Sequence, residues 1–395
     1  MRHGPQWRAR AGGDREAELG QDKETGGDSP GLPAVAAASG GVSRSRQVRL
    51  AALLLLLVVV AVAAVRVIVA SGPPTWDELR ERAGLTNRDR LLIGVKDDQP
   101  GVAQKLENGA FEGFDIDIAY MIAEDLGFDA PEVTLLPIES EDRARRQARD
   151  TDGSFVTVDL VIASYSITEE RRDQGVVFSF PYLETEQSVL TRASDRRQVA
   201  SLRDLDKAKV CTLGTSTSEQ RLREAGANPI GRNRISQCVQ ALYDGEVDAV
   251  TTDAAILAGF VGPRPPGELP PATKLLRRTE LRHWDIGADA AEKWGVNTGP
   301  NPAMRDLVNL SLYQSAKGPD GDRWKAAFDR YLASEQQHSN PQQVAVGRQP
   351  EPEEKVEVRQ WPWERWALPS PSRPPSGVRT AARARSRRNR RSSGC

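Results

Sequence analysis

One apolar run dominates the first part of the chain. The 21 residues Leu50–Ala70 (LAALLLLLVVVAVAAVRVIVA) carry a single charge, Arg66. At about 1.5 Å per residue a helix of that length reaches roughly 30 Å, the hydrocarbon thickness of a bilayer. Arg66 stands near one end, where a long side chain snorkels to the interface. Arg44, Arg46 and Arg49 flank the other end and orient the preceding residues towards the cytoplasm. The pattern predicts a transmembrane signal anchor over 49–70. Before it, residues 1–48 are rich in Gly, Ala, Ser and charge with no apolar period, which predicts a disordered cytoplasmic tail. Cleavage as a signal peptide is the competing reading, since Ala70-Ser71-Gly72 offers small residues. The long preceding tail and the long apolar run count against it.

Beyond the run, short apolar stretches alternate with helical periods over residues 75–340. Leu91–Val95, Val133–Ile138, Asp159–Ala163, Lys209–Leu213, Val247–Thr251 and Trp294–Val296 read as strands. Ile118, Ile122 and Leu126 recur at i, i+4 and i+8, predicting a helix that Asp115 caps and Gly127 stops. Further helices are predicted from Thr168, from Gly214–Ser218 through Glu224, over Ile235–Tyr243, from Asp253, over Pro302–Ser315 and over Asp322–Leu332. Strands alternating with helices imply an α/β fold with parallel sheets. About 260 residues supply two lobes, each with its own core. Residues 261–271 (VGPRPPGELPP) read as a loop. From 341 to 395 the pattern collapses into acidic, aromatic and Arg-rich pieces, predicting a second disordered tail, basic at its end.

Composition narrows the function. Lys and Arg total 54 against 55 Asp and Glu, which excludes a uniformly basic nucleic-acid binder. The eight Arg of the last 30 residues read as a solvated tail or a contact to anionic surfaces, not as a nucleic-acid patch. Three Cys (211, 238 and 395) exclude a disulfide-dense scaffold or a Cys-rich zinc module. Three His (3, 283 and 338) offer no ordinary ligand spacing, and HExxH, GxSxG, Walker A and GxGxxG are all missing. No metal, no cofactor and no catalytic residue is expected.

Four polar segments follow predicted strands, the ends at which open α/β sheets bind ligands. They are Lys96–Gly101 (KDDQPG), Ser164–Arg171 (SYSITEER), Thr215–Ser218 (TSTS) and Thr251–Asp253 (TTD). With Gly113–Asp117 (GFDID), Phe178–Tyr182 (FSFPY) and Asp248–Asp253 (DAVTTD) they form an ordered set. Over about residues 88–335 this set resembles the bacterial extracellular solute-binding proteins of family 3, the amino-acid-binding type. Lys96–Gly101 and the Cys211/Cys238 pair resemble its glutamate-type members.

The resemblance implies a periplasmic-binding-protein type II fold, a hinged clam-shell of two lobes. Lobe 1 would comprise 85–184 plus 293–335 and lobe 2 residues 185–292, with hinge crossings near Tyr182–Thr185 and Asp289–Lys293. It implies that Arg171 and Ser166 hold an α-carboxylate with Thr217 and Ser218 at a helix start. Asp253 would take the α-ammonium, and Lys96 and Gln99 the ligand's side chain. The chemistry of these residues agrees, because a zwitterion enclosed in a dry cleft needs a partner for each charge, and a guanidinium grips a carboxylate with two parallel bonds. Cys211 and Cys238 would form a disulfide outside the membrane. The implied function is capture of glutamate, glutamine or aspartate by a monomer that delivers it to an ABC permease. A membrane-anchored sensor with a cytoplasmic or membrane signalling partner is the alternative. A dehydratase on the same fold is more remote, since no His is placed as a general acid. Asp97 departs from the glutamate-type pattern and adds negative charge beside the side-chain pocket.

Overall fold

A computed structural model describes residues 44–261, 281–286, 291–317, 322–338 and 343–359. The chain divides into two units, residues 1–71 and 72–395. In the first, helix α1 (Arg44–Ser71) runs 28 residues. Its stretch Arg44–Ile68 is long and apolar enough to cross a membrane by length and composition, and the side chains described along it are exposed. Arg44, Arg46 and Arg49 sit inside its first turns and not ahead of it.

The second unit opens with α2 (Trp76–Arg82), started by a capping box between Thr75 and Glu78. Strand β1 (Leu91–Val95) leads to β2 (Asp98–Gln99), β3 (Ala103–Lys105) and β4 (Phe111–Glu112), which form a small antiparallel sheet. Helix α3 (Phe114–Asp125) follows Gly113, whose φ of 131° suits glycine; a β-carbon there would collide with the Val102 carbonyl. Ile118, Ile122 and Leu126 are fully buried, as the helical period requires. Asp115 does not cap this helix. Gly113 holds the N-cap position, and Asp115 lies in the first turn with its carboxylate buried.

Next come β5 (Val133–Pro137), the hairpin β6 (Gln147–Arg149) and β7 (Phe155–Thr157), β8 (Leu160–Ile162), α4 (Glu169–Asp173) and β9 (Phe178–Thr185). Glu186 alone separates β9 from β10 (Gln187–Arg192). Then follow β11 (Val210–Leu213), α5 (Thr217–Glu224), β12 (Pro229–Arg232), α6 (Ile235–Tyr243), β13 (Ala249–Asp253), α7 (Ala254–Ala258) and β14 (Leu281–Asp285). The chain returns through β15 (Glu292–Asn297) to α8 (Pro302–Lys317), α9 (Asp322–Tyr331) and α10 (Ala333–His338).

Two five-stranded sheets result, ordered β5-β1-β8-β15-β9 and β12-β11-β13-β10-β14. In the first, β1 pairs in parallel with β5 and β8, while β15 is antiparallel to both neighbours. In the second, β11 is parallel to β12 and β13, and β10 is antiparallel to β13 and β14. The protein is therefore a two-lobed α/β fold with one sheet per lobe, and the chain crosses between lobes twice. In the first lobe Phe114 packs on Tyr182, Trp324 and Phe328 at centroid distances of 5.8–6.5 Å. In the second, a Cys211–Cys238 disulfide staples β11 to α6.

Part of the sequence-predicted C-terminal tail belongs to the fold. Val344 and Ala345 are buried, the Val346 N–H donates to the Glu184 carbonyl at 2.9 Å, and Thr185 Oγ1 donates to the Val344 carbonyl at 2.6 Å. Arg359 then donates its N–H to the Pro74 carbonyl and pairs with Glu78, both at 2.9 Å. Residues 343–359 are a strap along the first lobe; two apolar residues and a few backbone bonds are too small a signal to stand out in a polar stretch. The tail predicted at 1–48, up to residue 43, most of the loop at 261–271 and residues 360–395 lie outside the described residues.

Candidate functional site

The C-terminal ends of β1 and β8 face those of β11 and β13 across the lobes. At the end of β8, Ser164 takes a left-handed φ of 44°, rare for a residue with a side chain. Its N–H donates to Asp115 Oδ2 at 2.8 Å and its hydroxyl to Gln99 Oε1 at 2.9 Å. Asp115 also accepts from the Tyr182 hydroxyl at 3.0 Å. Burial pushes the Asp115 carboxyl up to about 7, although both bonds pull it back.

Next along the chain, the Tyr165 ring lies 4.6 Å from the Arg143 guanidinium and 4.5 Å from that of Arg171. Thr168 caps α4 by accepting the Arg171 N–H at 3.2 Å, which fixes where that side chain starts. Arg171 Nη1 donates to the Ser166 carbonyl at 2.6 Å and Nη2 to the Thr215 carbonyl of the other lobe at 3.1 Å. Arg143 donates to the carbonyls of Ser140, Ala163 and Ser164, each at 3.1 Å. Burial lowers both guanidinium pKa values, that of Arg143 to about 10 with Arg171 adding repulsion. Both guanidiniums donate to backbone carbonyls, so their charge is unspent on any hydrogen-bonded carboxylate and this end of the cleft suits an anion.

In the second lobe Ser216 caps α5 by accepting the Glu219 N–H at 3.1 Å. Thr217 is half-buried in the first turn, and Ser218 is buried with its hydroxyl donating to Gln187 Oε1 at 3.0 Å. Ser218 is thus held inside its own lobe. Asp253 ends β13; it occupies the N-cap position of α7 without making a side-chain cap. Instead its Oδ2 accepts the Trp294 indole N–H at 2.6 Å from the first lobe's sheet. Burial and the neighbouring Glu292 push Asp253 up to about 7, while Trp294, Arg221 and Arg143 pull it down. Glu292 itself pairs with Arg221 at 2.7 Å. Arg171 feels the charge of Asp253, which puts the two within electrostatic reach.

At the other end, Lys96 is buried with Nζ 3.2 Å from the Ile138 carbonyl and 3.5 Å from both Ser140 Oγ and the Asn233 carbonyl. Burial lowers its pKa, and Asp98, Glu139 and Asp97 oppose the shift. Asp98 accepts the Ser236 N–H at 3.0 Å, and Arg234 pairs with Asp97 at 2.6 Å and Glu139 at 3.7 Å. Asn233, Arg234 and Ser236 belong to the second lobe, so these contacts, with Arg171–Thr215 and Trp294–Asp253, describe lobes that meet.

The structure therefore brings Arg171, Ser166, Asp253, Lys96 and Gln99 to one interlobe region, with Thr217 at its edge and Ser218 turned to Gln187. Sequence reading misses Arg143, Tyr165, Trp294, Arg221 and Glu292. Arg143 stands in ESEDRARRQARD, where a buried Arg has the same signature as a solvated one. Among the described residues no cluster of His, Cys, Asp or Glu could hold a metal ion.

Comparison with known proteins adds independent findings. The family model for bacterial extracellular solute-binding proteins, family 3, matches residues 91–337. The glutamate-binding protein GluB of Corynebacterium efficiens is 37% identical over 181 residues, 44% of this chain and 59% of that protein. The ABC transporter glutamine-binding protein GlnH of Bacillus subtilis is 34% identical over 182 residues, 45% of this chain and 63% of that protein. The chain thus spans about three fifths of each of these relatives. A cyclohexadienyl dehydratase of Pseudomonas aeruginosa is a more distant relative, 26% identical over 168 residues, 42% of this chain and 59% of that protein. Among solved structures, an ancestral arginine-binding protein bound to glutamine superposes with a TM-score of 0.51 at 28% identity. That superposition covers 62% of this chain and 98% of that one.

Proposed function

The chain belongs to the bacterial extracellular solute-binding proteins, family 3, and on that premise we propose that its cleft captures a polar amino acid, glutamate, glutamine or aspartate, and delivers it to an ABC permease. The observation that carries this reading is a buried Arg171 and a buried Asp253, contributed by opposite lobes to one cleft. In the bound state Arg171, Ser166 and the Thr217 end of α5 take the α-carboxylate, with Ser218 as internal support. Asp253 takes the α-ammonium, and Lys96 and Gln99 face the side chain. Arg143 positions Arg171 through the shared Tyr165 ring. The lobes, about 85–184 plus 293–335 and 185–292, rotate about crossings near Tyr182–Thr185 and near Asp289–Lys293, the second lying partly outside the described residues. Closure is favoured by the contacts that only the closed form makes.

The family is extracytoplasmic, and α1 serves as its membrane anchor here. The receptor acts as a monomer and binds without turning its ligand over. The anchor also favours a second reading, a sensor reporting amino acids to a signalling partner; deleting residues 1–47 abolishes signalling in a sensor and leaves uptake intact in a transport receptor.

Calorimetric titration of the full-length chain in detergent against the twenty amino acids tests the reading. A micromolar ligand corresponds to about 8 kcal/mol. Arg171→Ala should weaken binding by about 100-fold or more, because the truncation leaves a carboxylate unpaired in a dry site. Unchanged affinity in a folded Arg171→Ala protein overturns the assignment.

A further inference from the structure

Ligand capture leaves residues 360–395 without a role, and the strap fixes where they begin. Val358 packs against the hydrophobic core. The Arg359 N–H donates to the Pro74 carbonyl at 2.9 Å, and its guanidinium, on a side chain 11% exposed, pairs with Glu78. Glu78 also closes the capping box that starts α2, so the exit is tied to a folded helix end. Pro74 stands three residues beyond Ser71, where α1 ends. Three extended residues reach at most about 11 Å, so chain length alone keeps the Arg359 N–H within about 16 Å of the end of α1.

The sequence changes character at that exit. Over 351–357 the strap carries four Glu against Lys355. Beyond it, Trp361, Trp363 and Trp366 fall within six residues (WPWERW), and 360–395 hold nine Arg against one acidic residue, Glu364. A Trp ring, with an apolar body and one N–H donor, sits at the headgroup level of a bilayer. A guanidinium pairs bidentately with phosphate, and each Arg near an anionic surface strengthens attachment roughly fivefold. These Arg stand far beyond α1 along the chain, so they do not set the anchor's orientation.

The position of the exit decides among polyanions. A free polyanion gains nothing from a start held close to α1. A bilayer surface meets the Trp cluster first and the Arg run after it, at an effective concentration set by a short tether. We propose that residues 360–395 dock on the anionic headgroups of the bilayer that α1 spans, with Trp361, Trp363 and Trp366 in the interface and the Arg run on lipid phosphates. The inference rests on α1 as the membrane anchor and is independent of which amino acid is bound.

The test reconstitutes the full-length chain in vesicles of phosphatidylcholine, alone or mixed with phosphatidylglycerol. Cys395, outside the Cys211–Cys238 disulfide, carries a polarity-sensitive fluorophore. With a third of the Arg on the surface, the bound-to-free ratio of the label should be about 100-fold higher on the anionic vesicles. About 1 M NaCl, with a Debye length near 3 Å, should erase that preference. Arg387→Ser, Arg388→Ser, Arg390→Ser and Arg391→Ser together should cut it about tenfold or more. Trp361→Ser, Trp363→Ser and Trp366→Ser together should weaken attachment to both lipids. Should a variant not fold, the lipid and salt comparisons on the unaltered chain decide the matter by themselves. Equal ratios on the two lipids overturn the inference. A label held equally on both and freed by salt overturns it in favour of the acidic strap, and a label moved only by added anionic wall polymer overturns it in favour of that polymer. Alkaline carbonate that strips the chain from the vesicles overturns the anchor reading and the inference with it. Retention without lipid preference overturns the inference alone.

Discussion

If Asp253 takes the ligand ammonium as proposed, binding should release a proton. Burial and the adjacent Glu292 hold its carboxyl at about 7 in the ligand-free protein. A ligand ammonium set against it favours the ionised form, so the bound-state value falls back towards the ordinary carboxylate range. Affinity then follows the ionised fraction of the free protein. Between pH 7.5 and 5.5 that fraction drops roughly 25-fold, about 2 kcal/mol of binding at ~1.4 kcal/mol per tenfold. Calorimetric titration with glutamine at both pH values measures the drop. Repeating it at pH 6.5 in phosphate and in imidazole, whose ionisation enthalpies differ, should show about 0.8 proton released per ligand bound. Stability of the empty protein runs the other way. A carboxyl raised in the folded state keeps a proton that the unfolded chain, with values near 4, gives up. Asp253 and Asp115, both at about 7, therefore stabilise the fold increasingly as pH falls from 7 towards 4, and that contribution is lost as pH rises through 7. Melting temperature should rise from pH 7.5 to 5.5 while affinity falls. Asp253→Asn should bind weakly and with little pH dependence. Constant affinity across the interval, or proton uptake on binding, refutes the reasoning.

Two other perturbations test the scaffold. Reducing Cys211–Cys238, 27 residues apart, should cost about 3–4 kcal/mol on the chain-entropy account and lower the urea midpoint; an unmoved midpoint would show that the bridge contributes nothing. Gly113→Ala forces a β-carbon into the Val102 carbonyl at φ 131°, and urea unfolding should show a loss of about 2 kcal/mol or more. A loss under about 0.5 kcal/mol would mean the backbone relaxes there at no cost.

What is legible in the sequence tracks burial. Strands β1, β8, β11 and β13 are visible because central strands bury both faces and read as apolar runs, while the edge strand β5 shows through Val133, Leu135 and Leu136 alone. Strands β2, β3, β4, β6 and β7 are two or three residues long and partly polar, too short for any period to emerge. Within the site, Arg171, Lys96 and Asp253 stand out because each follows such a run. Arg143 does not, because a guanidinium bonded to backbone carbonyls leaves no local pattern. The same reason hides the Ser218–Gln187 bond: its partners are 31 residues apart and meet only once β10 lies beside β13. Helix caps fare between these extremes. Thr168 and its α4 are readable, whereas Asp115 imitates a cap in sequence and serves instead to hold Ser164 and Tyr182.

The strap at 343–359 decides how the binding unit can be held. It runs from the Glu184–Thr185 end of β9, past α8 where Gln349 donates to the Leu312 carbonyl at 2.7 Å, to Pro74 and Glu78. Both ends of the described unit thus leave from one corner of the same half. Among the described residues, no strap of this kind runs along the opposite half. If the halves close as proposed, the half without a strap is the one that moves, and closing on a ligand then stretches none of the described strap contacts.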